Sequence, residues 1–151
     1  MPQSLAHVVV HIVFSTKHRR TWLVDEGIRS ELHKYLAQIL ATIDCPGITI
    51  GGVADHVHIL CNLSRKITIM GLIEELKTAS SKWLKTKGQD FQDFYWQGGY
   101  GAFSVSESKV PEVREYVDNQ EQHHQRLTFQ EEFRLLCERH KMRIDDRYVW
   151  D

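Results

Sequence analysis

The chain has 151 residues, of which 42% are hydrophobic and 26% are charged, and its net charge is −1. This size and composition are typical of one globular domain, and no apolar run approaches the roughly 18 residues that a membrane span needs. The N-terminal apolar stretch is interrupted by His7 and His11 and lacks a signal-peptide pattern, so we expect a cytoplasmic protein with no membrane partner. Three widely spaced cysteines, without a CxxC pair, argue against a disulfide framework or a structural zinc site.

Charge is unevenly distributed along the chain. Residues 101–151 carry a net charge of −3, whereas residues 1–100 carry +2. The densest basic cluster is "KHRR" at residues 17–20. A near-neutral protein is not a typical nucleic-acid binder, and a short basic cluster is often only a solvated surface. The charge pattern therefore permits a phosphate-bearing partner without requiring one.

The first half of the chain alternates strand and helix patterns. Residues 7–16 are rich in β-branched side chains and predict a buried strand. Residues 25–43 place apolar side chains three and four positions apart, which predicts an amphipathic helix that "CPG" ends. Two strands are then expected at 48–54 and 56–63, joined by a hairpin around Ala54-Asp55.

The second half begins with a predicted helix over 68–85, with Thr68 as its N-cap. The aromatic, glycine-rich stretch 94–106 predicts a fourth strand with a bend at its central glycines. Two further helices are expected, one over 111–124 and one over 128–140, because Pro111 suits a first helical turn and Thr128 has capping-box spacing.

The predicted order is β-α-β-β-α-β, followed by helices. This order is typical of the ferredoxin-like, split β-α-β arrangement, an α+β fold with an antiparallel sheet and two helices on one face. The other face of the sheet is then open to a ligand or to the C-terminal helices.

Two histidines interrupt the third predicted strand. His56 and His58 are two residues apart, so they point to the same face of the strand about 6.6 Å from each other. Two imidazoles at this spacing can bind one divalent ion. They can equally be two ordinary hydrogen-bonded histidines, and the strand alone leaves both interpretations open.

A later helix supplies further polar groups. Tyr116 and Gln120 are four residues apart, which places them on one helical face within about 6 Å. Taken alone, Tyr116 is interpreted as a core aromatic residue and Gln120 as a boundary residue. His123 and His124 follow, either as additional ligands or as exposed residues.

The combination of a His-apolar-His strand with a Tyr-x-x-x-Gln helix resembles the single-tyrosine HUH transposases of small insertion sequences and their REP-associated relatives. The matching segments are "HIVFSTKHRR", "DHVHIL", "YWQGGYGAFSVS" and "VREYVDNQ". The likeness spans about residues 8–125, which is most of the chain.

The resemblance implies a chemistry for these residues. His56, His58 and Gln120 would bind Mg²⁺ or Mn²⁺, and Asp55 is a candidate to orient a metal-bound histidine. Tyr116 would attack a phosphate of single-stranded DNA, form a 5′-phosphotyrosine and release a 3′-hydroxyl for later strand rejoining. The catalytic domain would cover residues 1–125, and residues 126–151 would be a helical extension of the same domain, either docked across the active site or capping the sheet.

The resemblance also implies partners: single-stranded DNA with hairpin ends, a location at the bacterial nucleoid, and a homodimer whose active sites are shared between subunits. Basic and aromatic side chains that could contact DNA phosphates or unpaired bases are Lys17, Arg19, Arg20, Lys77, Lys82 and Tyr100. For the two lysines of the second predicted helix, a solvated surface position is the alternative.

Two other functions fit parts of the sequence. A non-catalytic nucleic-acid-binding module would explain the fold order and the aromatic fourth strand, although it needs no histidine pair. A metal-dependent phosphodiesterase acting on small substrates would explain the histidines and leave Tyr116 with a structural role.

Overall fold

A single antiparallel sheet organises the computed structural model, which describes residues 2–151. Its strands are β1 (Val9–Ser15), β2 (Gly47–Val53), β3 (His56–Asn62) and β4 (Gly101–Val105). Their order across the sheet is β2-β3-β1-β4, with every neighbouring pair antiparallel. This order confirms the ferredoxin-like α+β fold that the sequence predicts.

Five α-helices connect or follow the strands in the described part of the chain. They are α1 (Glu26–Thr42), α2 (Ile69–Lys85), α3 (Val110–Asp118), α4 (Gln120–His123) and α5 (Phe129–Arg139). Side chains of Asp25 and Thr68 accept hydrogen bonds from the first turns of α1 and α2, and Thr128 and Glu131 form the expected capping box on α5.

One face of the sheet carries the apolar core. Val10, Ile12 and Phe14 of β1 point to this face, together with alternate residues of β3. The apolar stripes of α1 and α2 cover them, with Leu36 and Leu76 fully buried. This packing confirms the prediction of two helices on one face.

The opposite face is covered by the C-terminal helices rather than left open. Val13 and Phe103 of the sheet pack there against Phe129 and Phe133 of α5. The sequence leaves two arrangements open for residues 126–151, either docked across the active site or capping the sheet. In the structure this segment crosses the face of the sheet on which the histidines lie, as described below.

Two glycines let the C-terminal helices approach the sheet closely. A Cβ atom at Gly51 of β2 would lie 2.1 Å from the Val117 carbonyl oxygen of α3. At Gly101 of β4, a Cβ would lie 2.7 Å from the ring of Phe133. Because backbone atoms cannot move aside as a flexible side chain can, Gly51 in particular fixes how close α3 lies to the strands.

Two predicted elements differ from the observed ones. The fourth strand begins only at Gly101, and the aromatic stretch before it makes a single bridge, between Trp96 and Thr16. The third predicted helix is interrupted at Asn119, whose φ and ψ of −106° and 29° separate α3 from α4. Tyr116 and Gln120 therefore lie on consecutive helices, although the side-chain amide Nε2 of Gln120 donates to the Tyr116 carbonyl oxygen at 3.2 Å.

Candidate metal and nucleophile site

Three histidines from two central strands meet on the second face of the sheet. His56 and His58 project side by side from β3, as strand alternation predicts, and both are fully buried. His11 of the adjacent strand β1 stacks on His58, with ring centroids 5.1 Å apart, and its Nε2 lies 2.8 Å from His58 Nδ1. His11 was not predicted as a partner of this pair, although strand alternation in β1 and the antiparallel pairing with β3 place it on the same face.

Hydrogen bonds at Nδ1 fix the orientation of both β3 histidines. His56 Nδ1 lies 2.7 Å from the Asp55 carboxylate, which accepts its hydrogen. His58 Nδ1 is held by His11, as described above. Such partners orient metal-binding imidazoles, because they leave Nε2 of each ring free to face a common centre. The geometry supports the predicted orienting role of Asp55.

Tyr116 and Gln120 reach the same centre from α3 and α4. Gln120 is buried, and its Oε1 lies 3.2 Å from His56 Nε2. The Tyr116 ring is half-buried and stands edge-on to His58, with ring centroids 5.7 Å apart. The structure thus brings together the four residues singled out from the sequence as metal ligands and nucleophile.

Glu132 of α5 also lies at this centre, although it was not among the predicted site residues. Its Oε1 lies 2.9 Å from Nε2 of both His58 and His124, and 3.3 Å from His56 Nε2. Its other oxygen, Oε2, accepts a hydrogen bond from the Tyr116 hydroxyl. A signal was available: Glu132 occupies a position in the buried stripe of α5 where an apolar residue is expected.

His124 is the second unexpected member of the cluster. Its side chain is only 8% exposed, so the alternative of an exposed residue is wrong, and its Nδ1 lies 2.6 Å from the Leu127 carbonyl oxygen. His123 instead packs against the Tyr116 ring, with centroids 4.7 Å apart. One ligand atom from each of His56, His58, His124 and Glu132 lies within 4.8 Å of the others, and such a group can hold a metal ion.

The electrostatics of the cluster are dominated by Glu132. Burial opposes charge on this carboxylate, but hydrogen bonds from the histidines hold the pKa of Glu132 far below its ordinary range. Burial also opposes charge on His56, yet the carboxylates of Asp55 and Glu132 outweigh it and raise the pKa of His56 to about 9. Burial lowers the pKa of His58 to about 4.

Tyr116 is held as a phenol in this arrangement. Burial, and then the neighbouring Glu132 carboxylate, raise the pKa of Tyr116 above its ordinary value. Because a phenolate is the stronger nucleophile, the contact with Glu132 disfavours the reactive form of Tyr116. A cavity of about 700 Å³ opens beside the phenol, lined by His11, Phe103 and Arg139 among others, so the ring can be reached from one side.

The basic cluster at residues 17–20 contacts the end of the described chain. Lys17 Nζ donates to the Asp151 backbone oxygen at 3.1 Å, and an Arg19 guanidinium nitrogen donates to the Trp150 carbonyl oxygen. Arg20 is exposed. Two of the three candidate phosphate-binding side chains are therefore hydrogen-bonded within the protein.

The other candidate DNA contacts lie apart from the histidines. Lys77 of α2 donates to the carbonyl oxygens of Gln97 and Gly99, each at 2.7 Å, and burial lowers the pKa of Lys77 to about 8. Lys82 is exposed on α2, which covers the opposite face of the sheet. Tyr100 is 39% exposed, and its ring centroid lies 5.9 Å from Lys77 Nζ. The structure does not bring these three side chains to the site.

Comparisons with known proteins agree on one family. The family model described as "Transposase IS200 like" matches residues 4–120. The ISDra2 transposase TnpA of Deinococcus radiodurans is 26% identical over 115 residues, which cover 73% of this chain and 81% of that protein.

Solved structures show the same fold. A crystal structure described as that of a transposase from Deinococcus radiodurans R1 superposes with a TM-score of 0.62 at 23% identity, covering 80% of this chain and 95% of the other. A REP-associated tyrosine transposase bound to a REP hairpin gives a TM-score of 0.51 at 11% identity, covering 78% and 68%. Within residues 2–151, no helix combines the length and the apolar character needed to cross a membrane.

Proposed function

We propose that this chain, which belongs to the IS200-like transposase family, cleaves and rejoins single-stranded DNA at hairpin-containing ends through a covalent bond to Tyr116. The observation that carries the proposal is the position of the Tyr116 phenol beside the histidine pair, with Gln120 3.2 Å from His56. A nucleophile and a metal-binding group within one site are what a metal-assisted phosphoryl transfer needs.

The proposed metal ligands are His56 Nε2, His58 Nε2 and Gln120 Oε1, and the proposed ion is Mg²⁺ or Mn²⁺. A bound ion of this kind polarises a phosphate oxygen and lowers the barrier to attack at phosphorus. The donor set fits such an ion, because Asp55 and His11 hold both imidazoles with Nε2 towards the centre. Three protein ligands also leave coordination positions for the substrate.

The proposed nucleophile is the Tyr116 hydroxyl oxygen. It forms a bond to phosphorus while the bond from phosphorus to the 3′-oxygen breaks, and the released 3′-oxygen takes up a proton. The same 3′-hydroxyl can later attack the phosphotyrosine and restore the strand, because the covalent bond conserves the phosphodiester energy. Tyr116 must first lose its hydrogen bond to Glu132, since that contact keeps the phenol protonated.

The proposed DNA contacts begin at the basic cluster, where Lys17, Arg19 and Arg20 lie. The neighbour solved with a REP hairpin supports a hairpin substrate. We further propose a homodimer with shared active sites, a location at the bacterial nucleoid, and a catalytic domain over residues 1–125 with 126–151 as its extension. These assignments stay predictions.

A covalent-adduct assay tests the proposed function. The full chain is incubated with a labelled hairpin oligonucleotide and Mg²⁺ or Mn²⁺, and protein–DNA adducts are separated under denaturing conditions. We expect an adduct that disappears with EDTA and in Tyr116→Phe, which removes only the nucleophilic oxygen.

A matched control is Tyr35→Phe. Tyr35 stacks on Trp83 on the opposite face of the sheet, with ring centroids 5.0 Å apart, so its loss should leave adduct formation unchanged. Adduct formation by Tyr116→Phe would overturn the assignment of the nucleophile. DNA binding that survives the double change His56→Ala and His58→Ala, with no cleavage by the parent protein, would instead favour a non-catalytic binding module.

A further inference from the structure

Glu132 is a buried carboxylate in an otherwise apolar helix stripe. Its side chain is 2% exposed, between Phe129 and Phe133. A buried charge is costly unless it is paired, so its position requires compensating partners. The available partners on Oε1 are imidazole nitrogens of His56, His58 and His124. One carboxylate oxygen therefore lies at the centre of three rings.

In two of these rings, the hydrogen on Nδ1 is already used in another hydrogen bond. His56 Nδ1 faces the Asp55 carboxylate and His124 Nδ1 faces the Leu127 carbonyl, and both of these groups can only accept. In a neutral imidazole the remaining nitrogen carries a lone pair. Unless the ring takes up a second proton, Nε2 directs a lone pair at Glu132 Oε1, which can only accept. A cation at this point, either that proton or a metal ion, satisfies both groups.

The spacing of the donor atoms suits a small tetrahedral ion. Ligands about 2.0–2.1 Å from such an ion are about 3.3–3.4 Å from one another. Glu132 Oε1 lies 2.9, 2.9 and 3.3 Å from the three nitrogens, and all four donor atoms lie within 4.8 Å of one another. Shifts of the carboxylate away from the centre and of the rings towards it would create this geometry. Three imidazoles and one carboxylate form a ligand set that binds Zn²⁺ in preference to Mg²⁺.

We propose that His124 and Glu132 join the histidine pair in a four-ligand site for Zn²⁺ or a similar transition-metal ion. This inference rests on the proposed function, because it adds a second ligand set to the same two histidines. The two sets differ in what they leave open. With Gln120 as the third ligand the ion keeps positions for a phosphate, whereas His124 and Glu132 complete its coordination.

The four-ligand site also holds the nucleophile away from the reaction. Glu132 Oε2 accepts the hydroxyl hydrogen of Tyr116 while Oε1 faces the histidines. Zn²⁺ binding would therefore fix α5 across the site and keep DNA out. Exchange between the two ligand sets requires α5 to leave, and with it Glu132.

Metal binding to the full chain tests the proposal. Co²⁺, a visible stand-in for Zn²⁺, should give the intense absorption of a four-coordinate ion, and Zn²⁺ should displace it. X-ray absorption of the Zn²⁺-loaded protein should show four nitrogen or oxygen ligands, with three imidazoles. A six-coordinate spectrum with two imidazoles would overturn the proposal without any variant.

Variants identify the ligands. Glu132→Gln should weaken Zn²⁺ binding by more than the roughly 10- to 100-fold that losing an outer-sphere partner costs, and His124→Ala should act in the same direction. Glu138→Gln, an exposed residue of the same helix, is the matched control and should bind Zn²⁺ normally. Unchanged binding by both Glu132→Gln and His124→Ala would also overturn the proposal.

Gln120→Ala separates this proposal from the proposed function. The variant should keep the four-coordinate Co²⁺ spectrum, because Gln120 is not in this ligand set, yet lose Mg²⁺-dependent adduct formation. If the parent protein lacks the four-coordinate Co²⁺ spectrum but forms the adduct, only the four-ligand site is wrong. If the parent protein gives the expected spectrum but forms no adduct with any metal, only the nicking function is wrong.

Discussion

The two faces of the sheet differ in polarity, although the same strands form both. Towards α1 and α2, alternate residues such as Ile12 and Ile59 form a dry apolar core. Towards α3 and α5, the intervening positions carry His11, His56 and His58, all buried and all hydrogen-bonded. Burial of apolar side chains on the first face stabilises the fold. The second face instead buries polar side chains, which would destabilise the protein if they lacked hydrogen-bond partners.

The largest expected effect is on the apolar face. Phe14 is fully buried and packs edge-on against Trp96, with ring centroids 4.9 Å apart. Phe14→Ala should lower the free energy of unfolding by about 3–5 kcal/mol, because it leaves a cavity that the surrounding side chains fill only in part. Urea denaturation measures the loss. An effect below about 1 kcal/mol would mean that this face is not the main source of stability.

The next expected effect belongs to the polar face alone. Zn²⁺ at about 100 times its Kd should stabilise the protein by about 2.7 kcal/mol, because only the folded chain brings the four ligands together. The same increment should appear in Phe14→Ala, since the two sites lie on opposite faces and share no partner. A smaller increment in Phe14→Ala would show that the faces are coupled.

The contact between α3 and the sheet gives a third, smaller effect. Gly51→Ala places a Cβ against the Val117 carbonyl oxygen and should cost about 1–3 kcal/mol by overpacking. It should also reduce adduct formation, because α3 carries Tyr116. Both are measured on the same preparation, by denaturation and by the adduct assay.

The matched control lies in the same strand. A Cβ at Gly47 would meet only the Leu40 side chain at 3.3 Å, and that side chain can move. Gly47→Ala should therefore leave adduct formation unchanged. Equal losses of activity in both variants would argue that β2 as a whole, rather than the approach of α3, positions the nucleophile.

Local patterns in the sequence predicted much of this arrangement. Strand alternation placed His56 and His58 on one face, and helical spacing placed Tyr116 near Gln120, so the resemblance to a known family was visible. Glu132 could also have been predicted from the sequence, because a charged residue is unusual at a position in the buried stripe of α5.

The remaining features depend on long-range packing. The backbone turns out of the helix at Asn119, and this turn brings His124 back towards His56, with ring centroids 4.3 Å apart. No pattern in the sequence marks such a turn. The docking of α5 is equally a property of the assembled sheet, since Phe133 needs the open surface at Gly101. Periodicity describes each helix but not which surface it covers.

The smallest expected effect concerns where DNA binds. Arg19 lies beside the C-terminal segment on the histidine side, whereas Lys82 is exposed on α2 of the apolar face. If the hairpin binds on the histidine side, Arg19→Ala removes one phosphate contact and should reduce the slope of log Kd against log salt by about 0.7 for a single strand. Lys82→Ala should leave the slope unchanged. The reverse result would place the DNA on α2 and separate binding from the histidines, because the sheet lies between the two surfaces.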